Sequence, residues 1–318
     1  MLVFLGKRLG TMILTAICLT AIVFSLVNLR PNLERLAKEQ VSPRMTDQQV
    51  EVWLRDQGYL RPWAERYVEW LGGVVRGDWG QSTRFRAPVS EVLAPRLGLT
   101  GVLMFWVLMV MIPSALVMGI VAGMREGSLP DRAISTVAIG TTSTPEYVSG
   151  VVLTVIFASQ MVGLQWFSGS AASAAETGPT LQNFALPVLT IAIYGMGYIA
   201  RMTRASMAEV MTQQYIRTAR LKGVSFRGVV LRHALRNALI APFTVIMLQF
   251  PWLLTGVVIV EILFNYRGFG WLLVEAAANN DIELLLACSV VAVVIVLATQ
   301  LISDVGYALL NPRIRVSG

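Results

Sequence analysis

The chain has 318 residues, of which 55% are hydrophobic and only 14% charged; a soluble domain carries roughly 25% charged residues. That balance excludes a soluble globular fold, and the high apolar content excludes a disordered one. The net charge of +7 points to basic loops at a membrane face before it points to nucleic acid.

In chain order, six stretches lack Asp, Glu, Lys and Arg and approach the ~20 helical residues needed to cross about 30 Å of hydrocarbon. They are residues 9–29, 97–124, 147–163, 181–200, 238–260 and 284–303. Continuous apolar runs predict helices rather than the two-residue alternation of a barrel. The first run follows Lys7 and Arg8, as the apolar core of a signal peptide does. It is longer than such a core, and Asn28-Leu29-Arg30-Pro31 offers no small-residue cleavage site, so it is read as a retained anchor.

Residues 30–96 mix charges of both signs. Trp63, Tyr67, Trp70, Leu71 and Val74 share one helical face, with Trp53, Tyr59 and Trp79 nearby. A helical extracytoplasmic segment follows, its aromatic face either buried at the membrane surface or open to an outside partner. The short loops fix orientation. Residues 168–180 have no Lys or Arg, and 264–283 have only Arg267. Residues 201–236 hold Arg201, Arg204, Arg217, Arg220, Lys222, Arg227, Arg232 and Arg236 against Glu209 alone, and the tail holds Arg313 and Arg315. Both termini are therefore expected inside the cell.

The third run opens at a helix end beside Glu146. Gly195 and Gly197 are expected to serve helix packing. Pro113, Pro187, Pro242 and Pro251 lie within runs, where each frees a carbonyl and permits a kink, for packing or as a hinge. The basic loop 209–237 reads as a short helix from about Thr212, a left-handed cap at Gly223, and a second basic helix feeding the fifth run. Such a helix-glycine-helix is either a topological anchor or a plug for a partner's groove. Glu261 closes the fifth run as an interfacial carboxylate, a gate, or a contact for an ammonium group; Pro242 and Pro251 join it as possible pathway positions. Asp304 is expected to cap the sixth run, and His233 to pack within the basic loop. One histidine, with Cys18 and Cys288 inside apolar runs, supports no metal site or catalytic dyad. No Gly-x-x-x-x-Gly-Lys-Ser/Thr loop is present to cradle phosphates, so no ATP hydrolysis and no cofactor are expected. A secondary transporter or channel not coupled to ATP is the alternative; it needs buried ionisable groups, which the middle of these runs nearly lacks.

Arg217-Thr218-Ala219, followed by three residues and Gly223, resembles the EAA loop of ABC-transporter permeases. The wider string from Tyr215 to Ile240 is similar to the dipeptide/oligopeptide importer subfamily, B-type subunit. Gly72 to Ser82 before Pro88-Val89, Thr203-Arg204-Ala205-Ser206-Met207, Glu261 to Gly270, and Tyr307 to Arg313 agree with it. Two departures stand out. Leu29-Arg30-Pro31-Asn32-Leu33 replaces a Pro-Gly-Asp-Pro-like turn, and Ala241 precedes Pro242 where proline usually follows directly.

The resemblance implies an all-α polytopic membrane protein of the ABC importer type I permease fold. It would have six transmembrane helices: an N-terminal one within 1–29, an extracytoplasmic helical segment over 30–96, and a core permease domain over 97–318. It implies that Arg217, Thr218, Ala219, Lys222, Gly223, His233, Arg236 and Asn237 couple the chain to an ATPase. The implied partners are a second homologous permease in a heterodimer, two ATP-binding subunits, an extracytoplasmic solute-binding protein and membrane lipid, with no nucleic acid. The implied place is the bacterial cytoplasmic (inner) membrane, and the implied cargo a peptide or related small molecule.

Overall fold

The computed structural model describes residues 2–162 and 164–310. Gly163, Asn311, Pro312, Arg313 and Arg315, named above, lie outside the described residues. In chain order the helices are α1 (Leu2–Val27), α2 (Arg30–Gln40), α3 (Asp47–Asp56), α4 (Trp63–Arg76), α5 (Val89–Met124), α6 (Leu129–Ser143), α7 (Glu146–Phe157), α8 (Ala172–Thr177) and α9 (Leu181–Met211). There follow α10 (Gln214–Leu221), α11 (Phe226–Gly228), a π-helical turn (Val229–Ala234), α12 (Leu235–Ala238), α13 (Ile240–Leu263), α14 (Phe269–Ala278) and α15 (Ile282–Leu310). One two-residue antiparallel ladder, β1 (Gln81–Ser82) with β2 (Ala87–Pro88), departs from the all-helical expectation.

Among the described residues four helices, α1, α5, α9 and α15, are long and apolar enough to cross a membrane, and the bent pair Phe226–Ala238 with Ile240–Leu253 makes up to five. The third expected run differs. Pro145 and the extended Thr144 separate α6 from α7, and α7 stops at Phe157. Its 12 residues reach only about 18 Å. Beyond it the chain turns back, with the backbone N–H groups of Trp166 and Phe167 donating to Phe157 O. The fourth run continues as helix past Ala200 to Met211, so Arg201 and Arg204 are helical rather than loop residues. Asp304 lies inside α15 rather than at its cap, because the helix runs on to Leu310.

Two compact units result, Met1–Leu99 with Gly268–Ala298, and Thr100–Arg267 with Thr299–Gly318. In the first, Phe24, Leu33, Leu36, Val50, Leu54 and Tyr67 bury with Ile282 and Leu286. Tyr67 follows its sequence-predicted face inward; its hydroxyl meets Thr20 Oγ1 at 2.9 Å and donates to Ile17 O. Trp63 stacks on Tyr67 at 5.2 Å. Thr46 and Gln49 close α3 with a capping box. The ladder is held by Asp281, which is fully buried. Its carboxylate accepts from Ser82 Oγ at 2.5 Å, Arg84 N at 3.1 Å and Leu284 N at 3.2 Å, the last as the cap of α15.

In the second unit α9 is the enclosed helix: 72% of its most apolar window is buried, against 17% for α1. It packs on α13, α6 and α7. Small residues let it come close. A Cβ on Gly119 of α5 would overlap Thr203 and Ala200 O of α9, and one on Gly123 would overlap Met207 and Arg204 O. On α9 itself, Gly195 admits Met111 and Gly197 admits Thr141 and Ala138 O. This is the close backbone approach expected of membrane helix pairs.

Candidate functional site

The basic loop folds as a hairpin hung from α9 and α13. In α10, Ile216 and Ala219 stand three residues apart and therefore share a face. Both bury against Met207, Val229, Val230, Ala234 and Ala238. Arg217, Thr218, Arg220 and Lys222 point outward, exposed. The helix ends as glycine permits. Gly223 has φ +74°, Gly223 N donates to Arg220 O, and Val224 N donates to Ala219 O at 3.2 Å. That pair of bonds is a Schellman closure, and a left-handed residue is its requirement. Ser225 Oγ then accepts from Gly228 N and starts the return segment.

The return segment runs through the π-helical turn, which spacing does not predict, and ends at Leu239. There the chain bends by 49° into α13. Pro242 sits in the first turn of α13, where its missing N–H would have been an orphan donor anyway. The bend falls three residues before Pro242, where a proline ring crowds the carbonyl of the preceding turn, and Ala238 O there accepts from Ser206 Oγ. Asn237 Nδ2 donates to Tyr215 Oη at 3.0 Å and ties the two arms together. His233 and Arg236 are exposed. The expectation that His233 packs inside the hairpin is thus corrected: the inward positions of the return arm belong to Val229, Val230, Ala234 and Ala238.

The Thr203–Met207 string explains how the hairpin is anchored. Arg204 grips Asp131 through a fork, Nε to Oδ1 at 2.9 Å and Nη2 to Oδ2 at 2.8 Å, and reaches Glu126 at 3.3 Å. Asp131 also accepts from Gly127 N and Ser135 Oγ. The α5–α6 connection is thereby fixed to α9. Ser206 Oγ donates to Ala238 O at 2.8 Å, which locks α12 to α9. Composition offers no signal for Asp131 or Tyr215; the pairing becomes visible only when the helices are placed.

The pathway positions do not converge. Pro242, Pro251 and Glu261 all belong to α13, spaced about 14 Å apart by helical rise. Glu261 is fully buried and accepts from Thr100 Oγ1.

The hairpin thus presents an exposed cationic face over a buried apolar one, borne on apolar helices. Residues 115–316 match the family described as the binding-protein-dependent transport system inner membrane component. The chain belongs to this family. Its similarity to curated relatives extends over nearly the whole length. It is 33% identical to the glutathione transport system permease protein of Escherichia coli K12, over 99% of each chain. It is 31% identical to a putative peptide permease of Brucella ovis over 95% of each, and 31% identical to a probable peptide ABC transporter permease of Sinorhizobium fredii over 98% of this chain and 99% of that one. The permease is a non-catalytic, multi-pass subunit of an ATP-binding-cassette importer of the inner membrane. ATP is hydrolysed by separate subunits of the complex, which also includes a binding protein.

Proposed function

We propose that this permease carries peptides or closely related small solutes through a pathway made with a second, homologous permease. The peptide and glutathione cargoes in the relatives' names support that class. In this reading six segments cross the membrane, the third as the broken pair α6–α7, and both termini lie in the cytoplasm. The first crossing lies within residues 1–29, residues 30–96 form a helical segment outside, and 97–318 form the core. The hairpin 209–237 seats in the ATPase subunits through Arg217, Thr218, Lys222, Gly223, His233 and Arg236. Ala219 and Asn237 act one step back, by holding the hairpin's shape.

The observation that carries this reading is the exposed cationic face of α10 beside a left-handed Gly223. Closure of the ATPase dimer would push on that face and tilt α9 and α13. In a background lacking Cys18 and Cys288, Thr218→Cys should cross-link to an ATPase subunit and resist an impermeant thiol reagent applied outside. Ser173→Cys should react with that reagent. The opposite labelling pattern would overturn the topology, and a cross-link to no ATPase subunit would overturn the docking.

A further inference from the structure

We propose that the break between α6 and α7 is a station on the solute pathway that holds a cationic group, in a peptide its terminal ammonium. The residues are Glu146, Trp252 and Tyr194. This inference rests on the peptide-permease reading and adds where the cargo's charge is met.

Helices α6 and α7 have 15 and 12 residues, about 22 Å and 18 Å of rise, so only the pair together can cross about 30 Å of hydrocarbon. The break then falls near mid-depth. Thr144 and Pro145 are extended there, with ψ of 122° and 147°. Hydroxyls of the last turn of α6 and of Thr144 bond back to carbonyls four residues earlier. Thr142 Oγ1 donates to Ala138 O, Ser143 Oγ to Ile139 O and Thr144 Oγ1 to Gly140 O, each at 2.9 Å. A broken helix at membrane depth persists only inside protein or along a water-filled cavity.

Glu146 is the first residue beyond the break and is half-buried. Among the described residues it has no ion-pair or side-chain hydrogen-bond partner. Its Oε1 lies 3.5 Å from where a Cβ on Gly256 would stand, and ring carbons of Trp252 lie 3.8 Å from the same point. The carboxylate and the indole thus lean over one glycine of α13. Tyr194 of α9 stacks on Trp252, with ring centroids 4.5 Å apart and planes 19° from parallel. A carboxylate beside an aromatic pair is the arrangement that takes an organic cation. A charged group at this depth faces water or protein and not lipid. Glu261, in contrast, already has Thr100.

The test uses the assembled importer in liposomes with Cys18 and Cys288 replaced by alanine and Tyr194→Cys added. Trimethylammonium-ethyl and sulfonatoethyl methanethiosulfonate are compared as probes. The preference of the introduced thiol for the cationic reagent should fall at least tenfold when Glu146→Gln is added. An unchanged preference, or no modification by either reagent, overturns the inference. In the importer with Tyr194 intact, Glu146→Gln should lower trialanine uptake tenfold or more at normal abundance, with Glu146→Asp within threefold of the parent. Trialanine uptake unaffected by Glu146→Gln overturns it as well. A parent importer that carries no trialanine counts against the peptide reading alone, and the thiol comparison then decides this inference by itself.

Discussion

Two charge-rich helical regions lie outside the long apolar helices, and they treat their charges in opposite ways. Across residues 30–88 several ions are paired: Arg30 with Glu34 and Glu51, Arg35 with Glu39, Arg61 with Glu69, and Arg84 with Glu275 of α14. In the hairpin, none of Arg217, Arg220, Lys222, Arg227, Arg232 and Arg236 pairs with a carboxylate among the described residues. Exposed pairs add little stability, about 0–1 kcal/mol each, so the contrast concerns availability rather than strength. The first region pairs part of its charge internally, although Lys38, Arg44, Arg55 and Arg76 make no ion pair among the described residues, while the hairpin pairs none of its cations.

The sharpest break is expected at Asp281. Asp281→Ala strands Ser82 Oγ, Arg84 N and Leu284 N in a dry site, a loss on the order of 3–5 kcal/mol. Permease abundance in the membrane should drop severely, and protease should cut within residues 78–88. An undisturbed digestion pattern would show that the ladder does not depend on this carboxylate.

The next two changes separate shape from contact within the hairpin. Ala219 is buried by its own chain, so Ala219→Asp forces a charge into that cluster and costs about 2–3 kcal/mol locally. Gly223 has nothing within 4 Å of an added Cβ, so Gly223→Val costs only the left-handed backbone, about 1–2 kcal/mol. Both variants should insert normally and lose substrate-stimulated ATPase activity of the complex, Ala219→Asp more completely. Gly223→Asn should recover part of it, because asparagine tolerates this conformation. Normal transport by both Ala219→Asp and Gly223→Val would reduce the hairpin to a topological anchor.

The smallest effect on the fold is expected from Arg217→Gln with Lys222→Gln. Stability should change by no more than about 0.5 kcal/mol, while retention of the ATPase subunits on purification weakens and becomes less sensitive to salt. Retention with an unaltered salt dependence would mean that the open cations serve only topology.

The positions of the long apolar helices were legible because runs without charge are a direct signal. A screen for such runs stops at the first arginine, so it ended the fourth helix at Ala200 although Thr203, Arg204 and Met207 continue it. It also passed over α6, whose Asp131, Arg132 and hydroxyl residues read as loop. The left-handed Gly223 was legible, since helix ends and glycine go together. The resemblance groups Ala219 with its exposed neighbours, while its three-residue spacing to Ile216 already marks both as inward. The π-helical turn leaves no mark in the spacing, whereas the bend at Leu239 falls where Pro242 permits one.

Helix α9 has 31 residues, a rod about 46 Å long. Near its middle, Gly195 and Gly197 press it against Met111 and Ala138, and at one end Ser206 and Met207 grip the hairpin. That geometry is a lever with its fulcrum at half length. A tilt of about 5° about that point carries each end of such a rod about 2 Å, in opposite directions. A rigid tilt of that size would return a displacement of the hairpin by about 2 Å, reversed, on the far side of Gly195, as far as Pro187, where α9 can bend.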